Sequence, residues 1–355
     1  MEKYYVTEMR KAVLVILIMN IGLIECSFKE IPALISFGDS TLDVGNNNDL
    51  FSLAKSNHVP YGRDFPGQKI TGRFCNGLLV TDYIASMLGL MSPTLGYLNP
   101  EAYGERIVTG VTFASSASGI NDDTGKTFNI LNLKDQLNLY KQYREDLRRV
   151  VGAANASRIL SKAIYIISTG NNDYLQYFNL NILSENESNR KELRTHLLST
   201  LSMFIKELQS LGAKKIAVLS LPALGCLPFE RTLHGGGKGI CVEYMNKEAS
   251  IFNMNLKKLL TKMNETDGTR IAYLDSYGLL LSAATHPAQY GFVEGRRGCC
   301  GTGFIEASIF CTEFSVGTCL NASKYVFWDS FHPSDRMNSI LAQSLLTQAV
   351  QQGLA

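Results

Sequence analysis

Ser40, Asp329 and His332 are the residues whose types and spacing could carry out acyl chemistry together. Ser40 stands in Phe37-Gly38-Asp39-Ser40, directly after a short apolar run. A serine hydroxyl is a weak nucleophile until a neighbouring base takes its proton. Asp329 and His332 stand three apart in Trp328-Asp329-Ser330-Phe331-His332-Pro333. A carboxylate close to an imidazole can accept its Nδ1–H, fix the tautomer and stabilise the imidazolium that forms. Unperturbed histidine titrates near pH ~6.5, so the ring can serve as base and then as acid around neutrality. Taken alone, Ser40 equally suits a helix N-cap, and His332 a turn before proline. The pairing favours chemistry. Of the five histidines, His58, His196, His234 and His286 lack such a carboxylate and read as surface or loop residues.

An ester hydrolase must also stabilise the developing oxyanion. Gly170-Asn171-Asn172-Asp173 follows another apolar run and could aim a side-chain amide at the reacting centre. Losing one such donor typically costs about 3–4 kcal/mol in the barrier. Asx-rich turn chemistry would also produce that triplet. Backbone donors are expected from Ser40 itself and from the turn Ala114-Ser115-Ser116-Ala117-Ser118-Gly119.

These segments need a scaffold that brings them to one place. Apolar runs without alternation fall at Ala33 to Phe37, Ile107 to Phe113, Ala163 to Ser168, Ile216 to Leu219 and Ile271 to Leu274, and read as buried parallel strands. Between the third and fourth, Leu193, Leu197, Leu201, Ile205 and Leu208 form one helical stripe that Gly212 ends. A second helix covers Tyr244 to Met263. A third starts near Ser334, an N-cap, and turns Met337, Ile340, Leu341 and Leu345 inward. Alternating strands and helices imply an α/β fold, three-layer α/β/α, with a doubly wound parallel sheet of about five strands. Ligands in such sheets bind outside the carboxyl ends of the strands, where every motif above falls.

The chain of 355 residues is 45% hydrophobic and 19% charged, with a net charge of +2 and no basic stripe, so nucleic acid is a poor partner. Residues 1–26 read as a signal peptide: Lys3, Arg10 and Lys11 precede an uncharged apolar run from Ala12 to Ile24, with cleavage near Cys26 or Ser27. Residues 27–355 then form a single domain, without a later run long enough to cross a membrane. Secretion fits four sequons, at Asn155, Asn186, Asn264 and Asn321, and eight cysteines. Cys226 and Cys241 bracket a Gly-rich loop. Adjacent Cys299 and Cys300 pair outward with Cys311 and Cys319 in some order, which leaves Cys75 as a buried thiol. That cluster contains no histidine and lacks CxxC spacing, so disulfides are expected there rather than a metal.

In order along the chain, the motifs resemble the plant GDSL esterase/lipase family of the SGNH hydrolases, from about Ala33 to the end. The nucleophile block continues into Asp43, Gly45, Asn46, Asn47 and Asn48; Gly170-x-Asn172-Asp173 and Asp329-x-x-His332-Pro333 follow. Pro60-Tyr61-Gly62-Arg63-Asp64-Phe65, Thr71-Gly72-Arg73-Phe74 and Leu224-Gly225-Cys226-Leu227-Pro228 look like further landmarks of that family. The resemblance implies Ser40 as nucleophile, Asn172 rather than Asn171 as an oxyanion donor, His332 as base and Asp329 as its orienter. By offset it places the second oxyanion donor at Ser116, with Gly119 as the alternative. Thr41 stands where the family has leucine; it is expected to open a helix, with little effect.

The implied activity is that of a secreted, monomeric carboxylic-ester hydrolase acting through an acyl-enzyme, without cofactor or metal. Its substrate would be an ester of a lipid, a cutin-type hydroxyl or an acylated carbohydrate. Acyl transfer would use the same residues, and a non-catalytic binding role is the reading from another class. His234-Gly235-Gly236-Gly237 mimics a lipase oxyanion motif, but no G-x-S-x-G serine follows it. Gly237-Lys238-Gly239 is not a phosphate-binding loop, since neither Ser nor Thr follows the lysine.

Overall fold

The computed structural model describes residues 31–181, 186–236, 239–264 and 268–354. The expected signal peptide, 1–26, lies outside the described residues, as do Gly237 and Lys238. Four apolar runs form strands β1 (Leu34–Gly38), β2 (Ile164–Ser168), β3 (Lys215–Leu219) and β4 (Arg270–Leu274), all parallel and in that spatial order. All five residues of β1 and of β2 are buried, which is why these sequences do not alternate.

The fifth expected strand, Ile107 to Phe113, is not one. A single 3-10 turn (Gly104–Ile107) leads into irregular chain that lies parallel to the free edge of β1. Leu34 N donates to Thr109 O and Ser36 N to Val111 O, while Phe113 N donates to Ser36 O and Ser115 N to Gly38 O. Gly110, at φ +97°, approaches so closely that a Cβ there would lie 1.9 Å from Leu34 O, and this bend breaks the strand. A second small sheet that sequence did not anticipate pairs β5 (Glu294–Gly298) with β6 (Tyr325–Phe327).

From β1 the chain therefore goes first to one side, to the 109–115 edge, and then to the other side, to β2. The reversal makes the carboxyl ends of β1 and β2 the switch point where ligands bind in open α/β sheets. Helices cover both faces. Phe37 of β1 packs edge-on against Tyr140 of α2 (Leu133–Val151) and Phe204 of α5 (Glu187–Ser210). α5 packs on α7 (Glu243–Asn264), while α1 (Val80–Met87) packs on α9 (Asp335–Gln351). The remaining helices are α3 (Ala153–Lys162), α4 (Asn171–Leu180), α6 (Pro228–His234) and α8 (Tyr277–Thr285). The expected helices sit as α5, α7 and α9, the last capped by Ser334 Oγ on Met337 N; Met337, Leu341 and Leu345 are buried and Ile340 partly so.

β4 is an outer strand, and its open side is closed by side chains. Gln352 accepts from Tyr273 N (3.2 Å) and donates to Tyr273 O (2.8 Å); Gln348 does the same for Asp275 (2.6 and 3.0 Å). Two amides, one in the last turn of α9 and one on the residue that caps it, thus imitate a neighbouring strand, which removes an edge that could pair with another chain. Replacing both with alanine is expected to cost about 1–3 kcal/mol in urea unfolding, since the lost bonds are partly repaid by water. A change within error of zero would show that the amides add nothing.

Three disulfides settle the cysteine pairing: Cys226–Cys241, Cys299–Cys319 and Cys300–Cys311, with Cys75 a buried thiol. Asn155, Asn186, Asn264 and Asn321 are all exposed; Asn155 lies within α3 and donates to Val151 O. Among the described residues no helix is long and apolar enough to cross a membrane.

Candidate active site

β1 ends at Gly38, where φ is +138° and a Cβ would lie 1.8 Å from Ser168 O at the end of β2. Only glycine fits that contact. Beyond it the chain makes one turn, with Leu42 N and Asp43 N both donating to Asp39 O. No helix follows, so Ser40 is neither a helix cap nor close to the positive end of a helix of its own, and Thr41 opens none. The neighbouring helix end belongs to α4, whose first residue ties the two strands together: Asn171 Nδ2 donates to Asp39 Oδ2 (2.8 Å). Thr41 also has a use that leucine could not supply. Its hydroxyl donates to Asp39 Oδ1 (2.7 Å) and meets Ser168 Oγ (2.9 Å). Burial pushes the Asp39 carboxyl upward, against the hydrogen bonds from Thr41 and Asn171.

The second motif is fixed by the small sheet. Trp328 N donates to His332 O (2.8 Å), closing a tight turn between β6 and α9. Asp329 Oδ1 accepts from Phe331 N (2.9 Å) and His332 N (2.8 Å), so the backbone sets the carboxylate before the ring meets it. His332 Nδ1 lies 2.9 and 2.8 Å from the two Asp329 oxygens, and its Nε2 lies 2.8 Å from Ser40 Oγ. With Nδ1–H given to the carboxylate, Nε2 is the acceptor for the Ser40 hydroxyl. Ser40 and His332 retain 8% and 9% exposure while Asp329 has none, so solvent and substrate reach only the serine end.

The Asn171-Asn172-Asp173 triplet sends each side chain to a different place. Asn172 Nδ2 donates to Ser118 O (2.8 Å), which leaves its second amide hydrogen available. Asp173 accepts from Ile120 N, Asn121 N and Thr124 Oγ1, and burial pushes its carboxyl upward. Gly119 packs on that carboxylate: a Cβ there would lie 2.6 Å from either oxygen.

Ser116, the second donor by offset, has its N–H already engaged. Its N–H donates to Asp43 Oδ2 (2.9 Å), and Asp43 Oδ1 holds Gly45 N and Asn46 N as well. Burial pushes Asp43 up to about 6 in spite of those donors. The turn closes with Ser118 N on Ser115 O, and Ala117 takes φ +66° at its third position. For alanine this left-handed conformation costs about 1–2 kcal/mol. Among the described residues, the N–H groups of Ser40, Ala117 and Gly119 have no hydrogen-bond acceptor.

Two supporting residues escaped the sequence reading. Gln136, fully buried on α2, accepts from Gly38 N (2.9 Å) and donates to Gly38 O (2.9 Å), so it clamps the residue on which β1 ends. Tyr61 was visible only as part of a landmark. Its hydroxyl donates to Asp329 Oδ2 (2.7 Å) and accepts from Ser308 N (2.7 Å). His234 is not the surface or loop residue expected: it ends α6, and its ring is buried between Glu230, Asn179 and Tyr244. Changing Gln136 to leucine strands the Gly38 N–H, and is expected to cost about 1–3 kcal/mol of stability and to lower kcat more than it raises KM. Denaturant melts and ester kinetics measure both, and an unchanged kcat would mean that Gly38 needs no clamp.

A family model described as GDSL-like lipase/acylhydrolase matches residues 34–345, which spans the sheet and all four motifs. The chain belongs to that family. Two GDSL esterase/lipases of Arabidopsis thaliana are 44% and 45% identical to it over 322 and 323 residues, covering 90% of this chain and 91% and 92% of theirs. A solved lipase from a goat rumen metagenome covers 91% of this chain and is itself covered completely, with a TM-score of 0.43 and 17% identity. As a GDSL esterase/lipase, the protein is a carboxylic-ester hydrolase. Membership accounts for the order of the motifs, from Ser40 through Asn172 to His332.

Proposed function

We propose that this hydrolase is secreted and works through an acyl-enzyme on Ser40. One observation carries the reading: the unbroken hydrogen-bond chain from Ser40 Oγ through His332 to Asp329. Ser40 Oγ bonds to the ester carbonyl carbon as His332 Nε2 takes its proton. Collapse of the tetrahedral intermediate expels the alcohol, which receives that proton. Water, deprotonated by the same nitrogen, then attacks the acyl carbon, and Ser40 leaves protonated. Asp329 holds the tautomer and offsets the transient imidazolium charge.

The oxyanion would be met by the free amide hydrogen of Asn172 and by backbone N–H groups. Ser40 and Ala117 have theirs free, which moves the second donor one residue beyond Ser116. Gly119 keeps its place as the alternative. The positive φ of Ala117 is then strain held where it turns a peptide toward the site. Secretion is supported by three disulfides, which persist in oxidising compartments, and by exposed sequons.

A fluorophosphonate probe should label the wild-type protein and not the Ser40→Ala variant. Turnover of p-nitrophenyl butyrate should fall by about 10⁴–10⁶-fold in the same variant. Full activity in Ser40→Ala would overturn the assignment.

A further inference from the structure

Large apolar side chains stand out in solvent beside the catalytic motif. Phe310 and Phe314 are 69% and 83% exposed, and Phe51, on a separate loop, is 95% exposed. Phe304, Ile309 and Leu53 are exposed as well. Single exposed apolar residues need no explanation, but several on loops that touch one another mark an interaction surface.

Three observations join these loops and say what would cover them. The first is connection. Ser308 Oγ lies 3.0 Å from Leu53 O and 2.8 Å from Lys55 O and accepts from Lys55 N (3.3 Å), which stitches the 304–316 loop to the 51–55 loop. Ser308 N donates to Tyr61 Oη, which in turn donates to Asp329, so the patch backbone lies two hydrogen bonds from the catalytic carboxylate. The second is constraint: Cys299–Cys319 closes the loop at its base and Cys300–Cys311 tethers its middle, next to Phe310. The third is internal satisfaction of polar groups. Glu306 accepts from the N–H groups of Thr302, Gly303, Phe304 and Ile305. Ser315 Oγ accepts from Thr312 N and donates to Phe310 O. With these backbone groups already paired, an apolar surface that covers the neighbouring rings strands none of them, while the charged Glu306 carboxylate stays on the water side.

We propose that this surface docks the enzyme on an uncharged lipid–water interface and presents aggregated acyl esters to Ser40. The proposal rests on the reading of Ser40 as an ester-cleaving nucleophile. The 304–316 loop carries Glu306 and Glu313 and neither lysine nor arginine, and the one cation of the 51–55 loop, Lys55, is turned to Asn48 O, so the attraction is apolar rather than electrostatic. Binding should therefore persist in high salt.

The test compares wild type with the double variant Phe310→Ser/Phe314→Ser, whose exposed rings leave the core intact. Partition is measured by sedimentation with phosphatidylcholine vesicles containing diacylglycerol. Turnover is measured on soluble p-nitrophenyl acetate and on tributyrin below and above its solubility limit. The variant should keep its p-nitrophenyl acetate kcat/KM within about twofold, and lose about tenfold or more in vesicle partition and in emulsion turnover. Equal vesicle binding by both proteins would overturn the proposal. So would a wild type that ignores vesicles, or a concentration-dependent dimer that the variant abolishes. Failure of both proteins to cleave p-nitrophenyl acetate would instead sink the esterase reading, because vesicle partition still decides docking.

Discussion

Replacing Asp329 with asparagine should lower kcat on a p-nitrophenyl ester by about 10⁴-fold while the protein remains folded. The reason is directional. Asp329 Oδ1 accepts two backbone N–H groups, from Phe331 and His332, so an asparagine would keep its carbonyl oxygen there. Its amide nitrogen would then take the place of Oδ2, facing Tyr61 Oη and His332 Nδ1. A donor in that place opposes an Nδ1–H and favours the tautomer in which Nδ1 accepts and Nε2 carries the proton. Nε2 then donates to Ser40 Oγ and cannot take its proton. Circular dichroism and the melting temperature check that the fold survives, and steady-state kinetics read the loss. A variant within tenfold of wild type would mean that His332 does not depend on Asp329 for its tautomer.

The second large effect is expected on stability rather than on the chemistry. Arg73 and Asp82 form a buried two-pronged ion pair, with Nε and Nη2 each 2.8 Å from a carboxylate oxygen, and Arg73 also donates to Thr94 O (2.7 Å). Asp82 in addition accepts from Leu79 N, Thr94 N and Thr94 Oγ1, and so it starts α1 and anchors the segment after it. Asp82→Ala leaves a guanidinium buried without its counter-charge, a change that should cost about 3–5 kcal/mol. Urea unfolding measures it. Replacing both partners at once, Arg73→Met with Asp82→Leu, should cost less than the single change, because no charge is left stranded. A single variant that loses under about 1 kcal/mol would show that the pair is not what holds this corner.

The pair also sets a direction for pH. Burial pushes the Asp82 carboxyl upward, but Arg73 beside it and the N–H groups of Leu79 and Thr94 hold it below its ordinary value. A lowered folded value means that the unfolded chain binds the proton first. The stabilisation is then complete above the unfolded value, near pH ~4, and is lost as pH falls below that.

Sequence alone determined the parts of this protein that residue identity can carry. Ser40, Asp329 and His332 could be read as a set because a carboxylate three residues from an imidazole offers a serine its base, whereas choosing Asn172 over Asn171 took the family resemblance. Among the described residues, four of the six strands were legible because burial within the sheet demands largely apolar runs. The edge segment misled for the same reason. Val111 and Phe113 are as buried as strand residues, but Gly110 bends the backbone against Leu34, and a pattern of apolar letters does not register a bend.

Only the tertiary structure decided the rest. Which N–H groups are free depends on acceptors elsewhere in the chain, so Ser116, held by Asp43, could not be told from Ala117 by offset. Gln136 lies 98 positions from the Gly38 it clamps, and Tyr61 lies 268 from the Asp329 it steadies. A buried amide or phenol looks the same in sequence whether it meets a catalytic strand or a distant loop. Pairing of the four C-terminal cysteines was likewise open until the backbone set their separations. Sequence supplied the reacting groups, and folding supplied their partners, because a hydrogen bond is specified by direction and distance and neither is written in residue type.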